Sequence, residues 1–166
     1  MMDLIQQLMY EMIDYYRGDP KRTQHFTKVY AYAKLIGETE QLDDKTLFTL
    51  KAAALVHDIG IKIAEAKYNS SAGKYQEIEG PAPAREMLSK LHFAKDIIDR
   101  ICYLIAHHHT YANIDGIDYQ ILVEADFIVN LYEDNAKKSA VENALKRIFK
   151  TKSGIKICST MFDVEA

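Results

Sequence analysis

Residues 47–60 read Leu47-Phe48-Thr49-Leu50-Lys51-Ala52-Ala53-Ala54-Leu55-Val56-His57-Asp58-Ile59-Gly60. Leu47, Leu50, Ala53 and Ala54 recur at the three- and four-residue steps of one helix face. Asp43 or Asp44 can cap the start of this helix. His57 follows Ala54, Ala53 and Leu50 by three, four and seven residues, so it continues the apolar stripe. Ile59-Gly60 then lets the chain turn. A titratable side chain in line with an apolar stripe needs a reason, because a buried polar group without a partner costs ~1–3 kcal/mol.

The same periodicity extends outward in both directions. Segment 3–17 carries Leu4, Ile5, Leu8, Met9, Met12 and Ile13, and Gly18-Asp19-Pro20 ends it. Segment 22–37 presents Val29, Tyr32, Ala33 and Ile36 on one face. Pro81 and Pro83 suit the first turn of a helix running to Leu91. Helices are predicted over about 94–109, 118–133 and 136–149. Segment 67–77 breaks the pattern and reads as an exposed loop around Asn69-Ser70-Ser71-Ala72-Gly73. The tail beyond Gly154 is ambiguous; Ile155, Ile157 and Cys158 suit either a strand stub or a docked turn. The expected fold is all-α, a single-domain helical bundle over residues 1–166.

Composition narrows the function. The chain has 166 residues, 48% of them hydrophobic, enough to bury a core without staples. No apolar run reaches the ~18 residues of a membrane span, and Met1-Met2-Asp3-Leu4 lacks a signal-peptide start. A net charge of −3 argues against a nucleic-acid polymer as partner. Cys102 and Cys158 form no C-x-x-C pair and read as two reduced thiols of a cytoplasmic protein. A homodimer is compatible with such a chain, but no exposed stripe makes the case.

Four helices each aim a titratable group inward. His25 precedes Val29, Tyr32 and Ile36 by four, seven and eleven residues. His57 has been described. His108, in the triplet His107-His108-His109, follows Ile105, Leu104 and Ile101. Asp126 follows Leu122 and precedes Val129. Singly, each suits a core histidine bonded to a carbonyl, or a cap. Together, with Asp58 beside His57, they match a metal site on facing helices. Imidazole and carboxylate donors suit iron, manganese, cobalt, nickel or zinc.

Here the sequence resembles a known family. Ala54-Leu55-Val56-His57-Asp58-Ile59-Gly60 is similar to the signature of the HD-domain metal-dependent phosphohydrolases. His25 before Val29 resembles that family's leading histidine, and Val123-Glu124-Ala125-Asp126 its closing aspartate. The resemblance spans about residues 22–134, leaving 1–18 as an N-terminal helix and 136–166 as a C-terminal helix and tail. It implies an HD-type bundle in which His25, His57, Asp58 and Asp126 hold a divalent metal, with Asp58 catalytic and able to bridge a second ion. Some members, among them bacterial HD-type dinucleoside tetraphosphate hydrolases, add two histidines. Glu79, before Gly80-Pro81, stands where the first of these is expected. His108, or His109 one register on, matches the second; His107 points about 100° away from His108. One or two ions per chain follow from this reading. The lysine that many members carry three residues after the aspartate is Ile61 here, so Lys62 and Arg85 are the candidate phosphate-binding cations. Loop 69–75, with Lys74 and Tyr75, could cover the pocket.

The resemblance implies a phosphohydrolase that cleaves a phosphate ester or anhydride of a small phosphorylated metabolite, a nucleotide first, through metal-activated water. Two alternatives stay open: an HD-fold diiron oxygenase, and a non-catalytic metal- or ligand-binding sensor module. Monoesterase, pyrophosphohydrolase and diesterase activities are not separated by the sequence.

Overall fold

The computed structural model describes residues 1–166 and contains ten helices and no strand. They are α1 (Leu4–Tyr15), α2 (Pro20–Thr39), α3 (Asp44–Val56), α4 (Ile61–Tyr68), α5 (Gly73–Glu79), α6 (Pro81–Lys90), α7 (Lys95–His107), α8 (Ile117–Glu133), α9 (Lys138–Arg147) and α10 (Lys152–Met161). The all-helical expectation holds. No helix is long and apolar enough to cross a membrane.

Local chemistry sets the helix starts. Asp3 and Gln6 form a reciprocal capping box at α1. Asp19 caps α2 through the Arg22 amide, and Pro20 pre-sets φ at its first position. Asp43, rather than Asp44, caps α3 by accepting from the Thr46 amide. Gly18 makes the turn between α1 and α2 at φ 82°, a left-handed conformation that costs glycine nothing.

Helix α3 is the centre of the bundle. Ala52, Ala53, Ala54, Leu55 and Val56 are all fully buried, so the C-terminal part of the helix is covered on every side. Its alanines let α2, α7 and α8 approach closely. Helices α2 and α8 also pack on each other, while α6 lies on α7. The core continues through Leu8, Met12, Phe26, Ile36, Ile101 and Ile128, all almost wholly shielded from solvent.

Two expectations change. Segment 67–77 is not one loop. Helix α4 continues to Tyr68, Asn69 ends it in the left-handed conformation, and α5 begins at Gly73. Only Ile61 and Ala64 of α4, and Gln76 of α5, are buried, which leaves too few apolar contacts to show a period. The tail is neither strand nor docked turn. Thr151 caps α10 by accepting from the Gly154 amide, and Gly154 and Cys158, four residues apart, form the buried face. The alternation of Ile155 and Ile157 was the misleading signal, since both are only half-buried.

Candidate metal centre

His57 and His108 occupy equivalent places, each the C-cap of its helix. Helix ends leave carbonyls without intrahelical donors. The His57 Nδ1–H donates to the Ala54 carbonyl and the His108 Nδ1–H to the Ile105 carbonyl, each over 2.7 Å. Each bond fixes the tautomer, so Nε2 carries the lone pair and faces away from its own helix. Asp58 follows His57 into a turn held from α1: the Tyr16 hydroxyl donates to the Asp58 carbonyl at 2.7 Å and the Tyr15 hydroxyl to Ile59 at 3.3 Å. Gly60 completes that turn. A Cβ there would lie 2.7 Å from the Gln76 carbonyl and 2.8 Å from the Gly80 nitrogen, so no side chain fits.

His25 enters from the second turn of α2 and Asp126 from the middle of α8. The His25 ring bonds through Nδ1 to the Glu133 carboxylate, which also accepts from Lys28 at 3.0 Å. That too leaves Nε2 facing inward, as carboxylate support commonly does for a metal-binding histidine. His25 Nε2 lies 3.1 Å from Asp58 Oδ2, 3.2 Å from Asp126 Oδ1 and 3.3 Å from His57 Nε2. His57 Nε2 lies 3.4 Å from the same two carboxylate oxygens. His108 Nε2 stands 3.4 Å from Asp58 Oδ1, on the other side of that carboxylate. All five side chains are buried.

These groups converge on a point more than they bond to one another. Buried Asp126 Oδ1 and His108 Nε2 have no hydrogen-bond partner despite their close neighbours. Imidazole lone pairs and carboxylate oxygens this close repel unless a cation sits among them. Without a metal, protons serve. Burial works to lower the pKa of His25, but Asp126 and Asp58 outweigh it and push it up to about 11. His57 is raised by the same two carboxylates against full burial. Burial would raise Asp58, yet His57, His108 and His25 hold it well below the usual carboxylate range. Asp126 is likewise depressed, by His25 and His57. Ligands ~2.0–2.2 Å from one ion lie roughly 3.0–3.5 Å apart, the spacing seen here. The two orphaned atoms and the nitrogen–oxygen donor set therefore fit a divalent transition metal. His25, His57 and Asp58 form one cluster able to hold an ion, and Asp58, His108 and His109 a second.

A polar cavity of about 250 Å³ opens over the cluster, and only one of its twelve lining residues, Ile61, is hydrophobic. His25, Asp58, Asp126 and His109 form part of its wall, and Lys21 and Arg22 bring positive charge. Arg22 is anchored by Glu65 and Asp19, whereas Lys21 makes no ion pair.

Three expected site residues lie elsewhere. The Glu79 carboxylate accepts from Lys67 and from the Tyr68 hydroxyl, both over 2.8 Å, and turns toward α4. Lys62 donates to the Tyr15 carbonyl at 3.0 Å and lies over the Tyr15 ring. Arg85 pairs with Asp99 on the surface. None of the three lines the cavity. Of loop 69–75, Ser71 reaches the wall, but Tyr75 stacks on Tyr68 and Lys74 lies over Tyr75. Of the histidine triplet, His107 bonds the Tyr103 carbonyl away from the cluster, while His108 and His109 both reach it. Gln76, Glu133, Lys21 and Arg22 were missed. The last three had a signal: Lys21 and Arg22 precede His25 by four and three residues, and Glu133 follows Asp126 by seven, which places each on a ligand-bearing helix face.

Comparison with known proteins agrees with this geometry. Residues 22–148 match the family model of the HD domain, reaching fourteen residues beyond the 134 expected. A crystal structure of a predicted HD superfamily hydrolase from an uncultured Thermotogales bacterium superposes with a TM-score of 0.69. It is 20% identical, and the alignment covers 95% of this chain and 84% of that one, a likeness of fold. No curated protein matches the sequence. With the matched segment spanning most of the chain and carrying His25, His57, Asp58 and Asp126 in order around one buried point, the protein belongs to the HD-domain family.

Proposed function

We propose that this protein is a metal-dependent phosphohydrolase acting on a phosphate ester or anhydride of a small metabolite, with nucleotides as the first class to test. The observation that carries the reading is the buried convergence of His25, His57, Asp58 and Asp126, with orphaned Asp126 Oδ1, beneath a cavity bearing Lys21 and Arg22.

His25, His57, Asp58 and Asp126 would hold a divalent ion of iron, manganese, cobalt, nickel or zinc; His108 and His109, with Asp58, would hold a second. Such an ion, when bound, supplies a water whose pKa falls from 15.7 toward ~7 and offsets charge on phosphoryl oxygens. The protein's own part is orientation and charge. The Ala54 and Ile105 carbonyls and the Glu133 carboxylate set three imidazole tautomers in advance. Tyr16 fixes the turn that aims Asp58. Lys21 and Arg22 bind anionic oxygens, with Arg22 pre-positioned by Glu65. The cavity of about 250 Å³ is smaller than the ~300–1,000 Å³ of typical small-molecule pockets. It therefore takes the phosphate end, and the remainder of the substrate lies over the rim.

The test is metal content per chain after anaerobic, chelator-free purification, followed by phosphate release from a panel of nucleotides and phosphate esters. Bound transition metal and hydrolysis, both lost in Asp58→Ala, are expected. A chain that takes up neither manganese nor iron refutes the mechanism and favours a binding module. Oxygen uptake by the iron-loaded protein, without phosphate release, moves the assignment to an oxygenase.

A further inference from the structure

Helix α5 grips one residue at three points. The Gln76 side chain, buried and on the cavity wall, accepts at Oε1 from the His109 ring nitrogen Nε2 over 2.8 Å. Glu77 accepts from the His109 main-chain amide at 3.1 Å and from the Thr110 hydroxyl at 2.9 Å. Gly73 lies flat against the ring; a Cβ there would come within 2.7 Å of His109 Cγ. The helix is itself pinned at its far end, where a Cβ on Gly80 would meet the Gln76 carbonyl at 2.8 Å and Ile105 at 2.5 Å.

The amide of Gln76 cannot turn round freely. Its Nε2 donates to the Ser71 carbonyl over 2.6 Å, so Oε1 must face the imidazole. An amide oxygen only accepts, so the imidazole must donate from Nε2. His109 is then protonated on Nε2 and bare on Nδ1. This is the reverse of His57 and His108, whose Nδ1–H groups bond to carbonyls. The His108 and His109 rings lie 4.0 Å apart at 46°, so adjacent imidazoles carry opposite tautomers beside Asp58.

We propose that Gln76 is a positioning residue that locks His109 in the Nε2–H tautomer and so selects Nδ1 as the nitrogen His109 offers beside Asp58 and His108. The consequence for ion binding rests on the metal reading of the site; the tautomer itself does not. An outer residue that orients a ligating histidine typically changes metal affinity ~10–100-fold when removed.

The test uses the full chain, labelled with ¹⁵N-histidine and freed of metal. Long-range ¹H–¹⁵N spectra should show His109 protonated on Nε2 and bare on Nδ1. Gln76→Met keeps side-chain length but removes the acceptor; His109 should lose its single tautomer, and the weaker of two Mn²⁺ equivalents in calorimetry should weaken ~10–100-fold. Gln76→Glu keeps an acceptor for the His109 ring while giving up the donation to Ser71, and should keep the proton on Nε2; a cooperative thermal melt of each variant controls for folding. A native His109 protonated on Nδ1, or an unchanged tautomer in Gln76→Met, overturns the assignment. If the native chain binds no Mn²⁺ while the tautomer pattern is as described, the metal reading fails and the assignment of Gln76 stands.

Discussion

Asp126→Asn separates a metal centre from a buried ion-pair cluster. The side chain keeps its shape but loses its charge beside His25, at 3.2 Å, and His57, at 3.4 Å. In the metal-free protein, removing one partner of a buried pair costs about 3–5 kcal/mol. At ~2–4 °C per kcal/mol for a chain of this size, Tm should fall by roughly 6–20 °C. The second effect is the informative one. Metal at a thousand times its Kd stabilises the native chain by ~4 kcal/mol, or about 8–16 °C. A hundredfold loss of affinity removes ~2.7 kcal/mol of that gain, leaving the variant a rise of roughly 3–6 °C. The assay is thermal unfolding of both proteins, with chelator and with excess Mn²⁺. An Asp126→Asn protein that melts lower yet keeps the full native increment on adding Mn²⁺ would refute Asp126 as a ligand.

Other predictions follow from particular contacts. His25, pushed up to about 11 from its ordinary 6.5, binds its proton more tightly folded than unfolded. Its contribution is complete below pH ~6.5 and is lost as pH rises through about 11, so the metal-free protein should melt progressively lower from pH 7 to pH 10. Bound metal displaces that proton, and the slope over the same window should flatten; equal slopes with and without metal would contradict this. Tyr16→Phe removes a buried hydrogen bond to the Asp58 carbonyl and should cost about 1–2 kcal/mol in denaturant melts, with weaker metal binding. Gly60→Ala drives a methyl to 2.7 Å from the Gln76 carbonyl and should destabilise by more than about 2 kcal/mol. Lys21→Ala should raise KM for an anionic substrate several-fold, whereas Arg85→Ala and Glu79→Gln should leave steady-state kinetics unchanged within about twofold.

The legible and illegible parts of the site divide by how each residue is held. His57 and His108 end apolar stripes and satisfy their own helices' free carbonyls, so stripe and cap both stand in the local sequence. His25 and Asp126 stand on stripes of α2 and α8 in the same way. Glu79 misled because a place in a family pattern says nothing about which neighbour captures a carboxylate. Lys67, on a helix the sequence showed only as a loop, was near enough to take it. Gln76 could not be assigned a face while its segment read as a loop. Lys62 follows the His-Asp pair closely, yet the chain has turned by then and its ammonium reaches back to Tyr15.

By itself, the sequence determined the helical class, most helix limits and the four residues on which the metal reading rests. Those features depend on interactions within a few residues along the chain: caps, the 3.6-residue period and the desolvation cost that makes a polar group on an apolar stripe conspicuous. The tertiary structure alone decided which side chains complete the centre. Arg22 and Lys21, and not Lys62 and Arg85, line the cavity, and α5 brings Gln76 to its wall while Glu79 faces α4. Those choices depend on how far each helix is rotated against its neighbours. That rotation is set by long-range contacts, such as the close approach of Gly60 to Gly80, which leave no period in the sequence of either helix.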